Sequence, residues 1–442
     1  MIHQLKEKGM SWWIKEYVLK RAIPIPKLLY AFDIVLCREL RDKRPKTLLF
    51  FLKVALSRQL SRRDKLPAYN TVDDAVNLLR NSKRIIILTG AGISVSCGIP
   101  DFRSENGLYA MLKQRGEYDL DDPQQIQIYP SNFTPSPCHH FIKFIEDRGQ
   151  LLRNYTQNID TLETLAGVKN VLQCHGSFAS ASCIECRTRV PGKDIEDDIL
   201  RQRIPLCKVC QANAAQARAA VAAAKKQEQS KKKRRKSGNP WDGDHSEDED
   251  EKGIPKVGVM KPDITFFGEK LDDRFDRCLE MDREKVDLLI VIGTSLKVAP
   301  VADMILHIPH SVPQILINKT PVKHINPDIV LLGNADDVVV HLCERLGWEL
   351  PRAKTRPEAT REGLRKRPSV ETGKPPPQPP RRVGNSHVWL FEGAEGGNWL
   401  ETLEIDSREP SVFGDSPLSQ ADEDEEQVDS HNDRGAKRAR VI

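Results

Sequence analysis

Apolar and polar residues alternate differently on the two sides of residue 70. Before it, apolar residues recur at helical spacing among basic residues over 11–60, and prolines divide this stretch into about three short helices. The basic residues are not confined to one stripe, which favours a small helical appendage over an amphipathic element on a membrane surface. Residues 1–70 are therefore predicted to form a helical N-terminal extension.

After residue 70 the apolar residues come in continuous runs. Residues 71–79 predict a helix capped by Thr71, and the run 84–90 predicts a buried strand that enters a glycine turn. Two later runs, 286–293 and 313–318, have the same character. Strands that are hydrophobic on both faces and separated by helical stretches indicate a parallel sheet covered on both sides. The expected fold class is α/β, with a Rossmann-like doubly wound parallel sheet.

Two segments are too polar to bury a core. Residues 211–256 pass from an alanine-rich, helix-forming run into the basic block 231–236 and the acidic block 246–251, which predicts a solvated, disordered insertion. From about Pro351 the chain is rich in Arg, Lys and Pro, which favours a mostly disordered tail with extended polyproline segments. A cluster of Val, Trp and Phe within 386–405 predicts a strand that docks on the main domain.

Length and charge narrow the class of protein. A chain of 442 residues is long enough for a catalytic unit with extensions, and its net charge of +5 is the balance of separate acidic and basic blocks. This argues against a direct nucleic-acid site, which would need a basic excess across the folded surface. The N-terminus lacks the apolar core of a secretory signal, and no apolar stretch is long enough to span a membrane. The 10 cysteines are therefore expected to be thiols and metal ligands rather than disulfides.

The glycine turn after the first strand is a candidate phosphate site. Gly90 and Gly92 would let backbone N–H groups approach a diphosphate, and a helix after the turn would add its positive end. The signal is weak by itself, because Val95 stands where the dinucleotide fingerprint has a third glycine. An ordinary tight turn would explain the glycines equally well.

Polar clusters further along strengthen this interpretation. Residues 99–109 place a carboxylate, an aromatic ring and a guanidinium behind the turn, as a nicotinamide ribose and a diphosphate would require. Residues 155–160 add an amide–carboxylate pair. A lone histidine is usually structural, but His175 lies between Cys174 and a glycine turn and is a candidate general base.

The cysteine spacing predicts a metal centre. Cys183 and Cys186 form one CxxC pair and Cys207 and Cys210 a second, which is the spacing of a tetrahedral four-thiolate zinc site. Four sulfur ligands leave no position for water, so the zinc would be structural. A redox pair is the less favoured alternative. The zinc-binding domain is expected at about 174–262, inserted in the sheet domain.

In this order the motifs resemble those of the sirtuin deacylases, and in particular the nuclear sirtuin 1 type of animals. They are GAGIS and GIPDFRS (within 90–104), TQNID (156–160), CHGS (174–177), the two CxxC pairs, KPDITFFGE (261–269), GTSLKVAPV (293–301) and LIN (316–318). The resemblance covers about residues 71–350, which we take as the catalytic domain, with 351–442 as the tail.

The resemblance implies an NAD site. Its residues would be Gly90, Ala91, Gly92, Ile93, Ser94, Asp101, Phe102, Arg103, Tyr109, Gln157, Asn158, Ile159, Asp160, Gly293, Thr294, Ser295, Asn318, Lys319 and Ala335. The glycine turn would hold the diphosphate, Asn318 the adenosine ribose, and Asp160 the nicotinamide carboxamide.

The resemblance also implies a reaction. The acyl-lysine oxygen would attack the ribose carbon as nicotinamide leaves, and His175 would act as general base, with Asn158 and Asp160 as further catalytic residues. The peptide would add as a strand against 266–269 and 297–298. The expected function is NAD-dependent deacetylation of acetylated histones, transcription factors and other chromatin-associated proteins in the nucleus, directed there by 231–236 and more weakly by 437–440.

The chain departs from the family after Asp122 and Pro123. A helical stretch that the family carries before its Pro-Ser-x-x-His segment is replaced here by a short connection to Pro135, so about five helical turns are missing. This leaves a second hypothesis, an NAD-binding scaffold with impaired turnover. A shorter connection that still covers the site is the opposing interpretation.

Overall fold

The computed structural model describes residues 1–99, 133–201, 203–234, 256–266, 268–350 and 379–406. Its helices are α1 (Ile2–Ile14), α2 (Ile25–Tyr30), α3 (Arg38–Arg41), α4 (Pro45–Ser61), α5 (Val72–Asn81), α6 (Pro137–Asp147), α7 (Leu162–Leu165), α8 (Lys193–Leu200), α9 (Lys208–Arg234), α10 (Asp273–Asp282), α11 (Ala335–Leu346) and α12 (Asn398–Asp406). Its strands are β1 (Ile85–Thr89), β2 (Leu151–Thr156), β3 (Val171–Gln173), β4 (Gly176–Cys183), β5 (Arg189–Pro191), β6 (Met260–Ile264), β7 (Leu288–Ile292), β8 (Gln314–Asn318), β9 (Ile329–Leu332), β10 (Arg381–Arg382) and β11 (Val388–Leu390). None of these helices is both long and apolar enough to cross a membrane.

The large sheet confirms the predicted fold class. Within the described residues its strand order is β10-β11-β9-β8-β7-β1-β2-β3, and all pairs are parallel except β10 with β11. Strand β1 is buried along its whole length. Ile85 and Ile87 pack under α5, α6 and α11, whereas Ile86 and Leu88 pack under α10 on the other face. A strand covered on both faces must be apolar at every position, which is the pattern of its sequence.

The helix before β1 begins as its sequence predicts. Thr71 accepts a hydrogen bond from the Asp74 backbone N–H at 3.0 Å, and the Asp74 carboxylate accepts one from Thr71 N–H at 2.9 Å. This reciprocal capping box satisfies two backbone donors that a helix start otherwise leaves unpaired.

A second sheet carries the cysteines. Its strands are antiparallel in the order β5-β4-β6, and α8 and α9 flank it. The alanine-rich first part of the predicted insertion (211–256) is helical, as its composition indicated, and α9 continues to Arg234. Alanine-rich sequence supports such a helix without burying a core. Residues 235–255 lie outside the described residues.

The N-terminal extension is helical, as predicted, but contains α1 to α4 rather than three helices, with a π-helical stretch from Lys15 to Lys20. Its own apolar cluster surrounds Trp13. Arg63 then joins the extension to the sheet domain through a buried ion pair with Asp328, with 2.6 Å between guanidinium and carboxylate. Asp328 also accepts the backbone N–H groups of Leu66 and Gln314, so no oxygen of this buried carboxylate lacks a donor.

The tail returns to the sheet. Strand β11, which lies within the segment 386–405 where a docking strand was predicted, pairs in parallel with β9. Val388 is fully buried, and the Trp389 indole N–H donates to the Asn70 carbonyl at 3.0 Å. Further along the predicted 386–405 segment the chain forms helix α12, so only part of that segment is strand.

Candidate cofactor site and metal centre

The sheet has one point where its strand order reverses. From β1 the chain moves outward through β2 and β3, then returns to β7 on the other side of β1 and moves outward through β8 and β9. The loops that leave β1 and β7 at their carboxyl ends therefore lead to connections that run in opposite directions along the sheet. In open α/β sheets this reversal is where ligands bind.

The two loops at the reversal are held together by glycines. The Gly92 N–H donates to the Gly293 carbonyl at 2.8 Å, and the Gly90 N–H donates to the Ile292 carbonyl at 3.2 Å. A methyl group on Gly92 would lie 2.7 Å from the Gly293 Cα, and Gly293 itself has a φ of +63°. The glycines therefore permit backbone-to-backbone contact between the β1 and β7 loops.

These contacts correct one part of the phosphate-site prediction. The element after the glycine turn is not an α-helix but two short 3-10 turns, Ala91–Ile93 and Val95–Cys97, which have almost no dipole to offer. The Ile93 and Ser94 N–H groups donate to carbonyls inside the turn. Within Gly90–Ser94, only the Ala91 N–H has no carbonyl acceptor among the described residues.

Asn158 and Asp160 follow β2 and face the same turn. The Asn158 side-chain amide donates to the Gly90 carbonyl at 3.1 Å and to the Ser94 hydroxyl at 3.2 Å. The Ser94 hydroxyl in turn donates to Asp160 at 2.6 Å, and the Leu162 N–H donates to its other oxygen at 3.0 Å. Burial raises the pKa of Asp160, and these two bonds oppose that shift because they stabilise the carboxylate.

His175 follows β3 and is oriented for proton transfer. Its Nδ1 lies 2.9 Å from the Gln157 carbonyl, which can only accept a hydrogen bond, so Nδ1 carries the proton. Nε2 is then left with its lone pair. Burial lowers the pKa of the half-buried His175, so the ring is a neutral base at pH 7.

The remaining predicted cofactor residues lie after β7, β8 and β9. Thr294 is buried, and its hydroxyl accepts from Leu296 N–H at 3.2 Å, whereas Ser295 is exposed. Asn318 ends β8 and its amide donates to the Thr320 carbonyl at 2.8 Å. Lys319 and Ala335 lie at the ends of β8 and β9, where the tail residue Glu395 forms an ion pair with Lys319 at 2.5 Å.

Some predicted site residues are not among those that the structure describes. Asp101, Phe102, Arg103 and Tyr109 fall within 100–132, as does the shortened connection after Pro123, and so their assigned roles stay predictions. Ile159 is half-buried in the loop after β2, and its carbonyl accepts from Phe178 N–H at 3.3 Å. Of the predicted peptide-binding segments, Phe266 is exposed and Phe267 is not described.

The four predicted cysteines meet in the small sheet domain. The Cys183 and Cys210 sulfurs are 3.7 Å apart, those of Cys186 and Cys207 are 3.6 Å apart, and all four lie within 4.8 Å of one another. Zn–S bonds of about 2.3 Å at tetrahedral angles place sulfurs about 3.8 Å apart. The thiols therefore fit one zinc ion with no ligand position left for water, which agrees with a structural role.

Two buried residues beside the site have no counterpart in the sequence prediction. Glu163 on α7 and His139 on α6 are fully buried, and each has a ligand atom within 4.8 Å of the others and of Asp160. The sequence around Glu163 is typical of an ordinary helix surface, and the sequence around His139 is typical of the start of a helix. Neither context carries a local signal of burial.

The large sheet is doubly wound and carries two glycine loops and a basic histidine nitrogen at the point where its strand order reverses. A small domain with four clustered thiols is joined to it. Together these features define the class of dinucleotide-binding α/β proteins with a structural metal centre. Comparison with known proteins gives the family. The Sir2 family model matches residues 90–300. The Schizosaccharomyces pombe NAD-dependent histone deacetylase sir2 is 39% identical over 367 residues, covering 79% of this chain and 75% of that protein. The chain belongs to the Sir2 family, as its motifs predicted.

Animal relatives match over a shorter share of their length. The Drosophila melanogaster NAD-dependent histone deacetylase sirtuin-1 is 45% identical over 303 residues, or 64% of this chain and 34% of that protein. The Homo sapiens NAD-dependent protein deacetylase sirtuin-1 is 42% identical over 328 residues, or 70% of this chain and 38% of that protein. The chain thus spans about a third of these animal proteins, with 34% and 38% covered.

Proposed function

We propose that the chain is an NAD-dependent protein-lysine deacetylase that transfers the acetyl group to ADP-ribose and releases nicotinamide. The observation that carries the proposal is the orientation of His175, whose Nδ1–H is committed to the Gln157 carbonyl while Nε2 remains a base at the ligand-binding edge. The names of the relatives, which are NAD-dependent histone or protein deacetylases, support it.

In this proposal each loop at the sheet edge has one task. The Gly90–Ser94 turn and Thr294 and Ser295 hold the diphosphate, with Ala91 N–H as the available backbone donor. Asp160 accepts from the nicotinamide carboxamide, and Asn158 fixes the turn through the Ser94 hydroxyl. His175 Nε2 takes a proton from a ribose hydroxyl, which drives the acetyl group from lysine to ADP-ribose.

The substrates we propose are acetylated histones and transcription factors in the nucleus. Histone deacetylase names among the relatives support chromatin substrates, and the peptide would add as a strand beside Phe266. The basic run that begins in the last turn of α9, at Lys231, is the proposed nuclear signal. A fluorescent fusion of residues 225–260 that stays cytoplasmic would count against this signal.

The deciding experiment uses the purified full chain, NAD and a panel of acetylated peptides. Mass spectrometry should show free lysine peptide, nicotinamide and acetyl-ADP-ribose in equal amounts, with no product when NAD or the acetyl group is absent. Binding of NAD without any nicotinamide release would instead support the scaffold hypothesis. If the shortened connection impairs turnover, a family-like helix restored between Pro123 and Ser131 should raise the rate of nicotinamide release by more than about threefold. That corresponds to roughly 0.7 kcal/mol of activation free energy.

A further inference from the structure

Behind Asp160 lies a cluster of buried groups that the proposed reaction does not use. Glu163 and His139 are each 0% exposed, and together with Asp160 they bring one ligand atom apiece to within 4.8 Å of one another. Glu163 comes from α7 and His139 from α6, so two separate helices place these groups beside Asp160.

Hydrogen bonds define the state of His139. Its Nδ1 accepts from the Ser136 backbone N–H at 3.1 Å, so a neutral ring carries its proton on Nε2. That Nε2 is buried and has no partner among the described residues. Burial lowers the pKa of His139 to about 4, because the charged ring would have no solvent around it. His139 therefore adds no positive charge that could hold two carboxylates.

The two carboxyl groups have unequal partners. Asp160 receives short bonds from Ser94 and Leu162, which favour its ionised form. Glu163 has only neutral hydroxyl groups beside it, those of Thr156 and Thr89, and the Thr89 bond is long at 3.3 Å. Its second oxygen is buried and has no hydrogen-bond partner among the described residues. Burial, and after it the neighbouring Asp160 charge, raise the pKa of Glu163 to about 7. One proton shared by such a pair therefore lies on Glu163.

We propose that Glu163 is a positioning residue that holds this proton, so that Asp160 remains a single, fixed carboxylate able to accept from the nicotinamide carboxamide. The inference rests on the proposed function, because it assigns Asp160 to the nicotinamide end. When Glu163 loses its proton, two like charges face each other in a buried site. Asp160 is then pushed away from the Ser94 hydroxyl, and the acceptor for the carboxamide is displaced.

The other groups around Glu163 do not remove this charge. Thr89 and Thr156 face it from β1 and β2 and are neutral, and Cys174 after β3 is a buried thiol whose raised pKa keeps it protonated. Asp336 on α11 and His140 on α6 act on His139 rather than on Glu163. The pair of carboxyl groups thus sets the charge at this point.

The first test needs no variant and no activity. Wild-type protein labelled with ¹³C-glutamate should show, at pH 6, an infrared carbonyl band of a protonated carboxylic acid that shifts with the label and disappears by pH 8.5. Exposed glutamates are already ionised at pH 6. Absence of a glutamate acid band at pH 6 would overturn the proposal.

The second test measures nicotinamide affinity by calorimetry. In wild type it should weaken more than about threefold between pH 6 and pH 8.5, since one extra buried charge displaces the acceptor. Glu163→Gln keeps the shape and remains neutral, so its affinity should not change with pH. The exposed Glu344→Gln on α11 is the matched control and should behave as wild type. Equal pH dependence of nicotinamide affinity in Glu163→Gln and wild type would refute the positioning role. If the acid band and the pH-dependent affinity are observed but no deacetylation occurs, only the proposed reaction is contradicted.

Discussion

The metal centre and the cofactor site are built on opposite principles. All four zinc ligands come from two CxxC pairs, and their sulfurs already lie at the separation that zinc requires. The candidate cofactor site instead takes single residues from the ends of β1, β2, β3, β7, β8 and β9, which the chain visits out of spatial order. A local motif thus specifies its own geometry, whereas a site on strand ends depends on the whole sheet.

The largest effect should come from removing a zinc ligand. Cys183→Ser or Cys207→Ser should lose the metal and unfold the small sheet domain, because structural zinc contributes about 10–16 kcal/mol of apparent binding free energy. Metal content by mass spectrometry and a melting curve measure this. Cys278→Ser, on α10, is the control and should keep its zinc. Unchanged metal content in both ligand variants would disprove the zinc assignment.

At the strand-end site, His175→Ala should lower kcat by about 10²- to 10⁴-fold, the usual contribution of a general base. NAD affinity should stay within a few fold, since a base acts on the reaction path more than on the ground state. Kinetics and calorimetry on the same preparation separate the two effects, with His341→Ala on α11 as control. A matching loss of NAD affinity would make His175 a binding residue.

The pH profile tests the same assignment. His175 must be neutral to accept a proton, and burial lowers its pKa below the ordinary 6.5. As the pH falls, kcat/KM should therefore hold past 6.5 and decrease only below it. An acid limb centred above 6.5 would mean that another group is being titrated.

A substitution at Gly293 measures how strongly the site depends on contact between loops. Gly293→Ala should cost about 1–3 kcal/mol of stability from its positive φ alone, and more because the new methyl would lie 2.7 Å from the Ile93 nitrogen. Gly347→Ala is a matched control, with a φ of +71° but no atom within 4 Å of its methyl. Equal melting temperatures for the two variants would show that the β1 and β7 loops can move apart to accommodate the methyl group at little cost in stability.

The smallest effect is expected at the tail. The ion pair between Glu395 and Lys319 is exposed on both sides, with 57% and 54% of the side chains accessible. Glu395→Gln should therefore change stability by less than about 1 kcal/mol. Thermal melts of this variant and wild type at low and high salt would check it. A larger loss would mean that the pair orders the end of β8.

Sequence reasoning succeeded where one segment determines the structure. The buried strands β1, β7 and β8, the Thr71 capping box and the CxxC pairs were all predicted. It failed where distant segments decide. The 3-10 turns after Gly90 exist because that loop packs on Gly293, and no local pattern encodes this contact. Glu163 and His139 carry no signal of burial, because their environment is created by helices that meet only in the folded chain.

Strand β11 has a consequence for how the chain is made. It covers the outer edge of β9, where Val330 N–H donates to the His387 carbonyl and Phe391 N–H to the Leu332 carbonyl. During synthesis this edge stays uncovered until residues nearly 60 positions later have left the ribosome. An uncovered edge of apolar strand is a template for self-association. A nascent or truncated chain that ends near Leu350 should therefore aggregate more readily than the full chain, so the pairing of β11 with β9 protects the chain from misassembly.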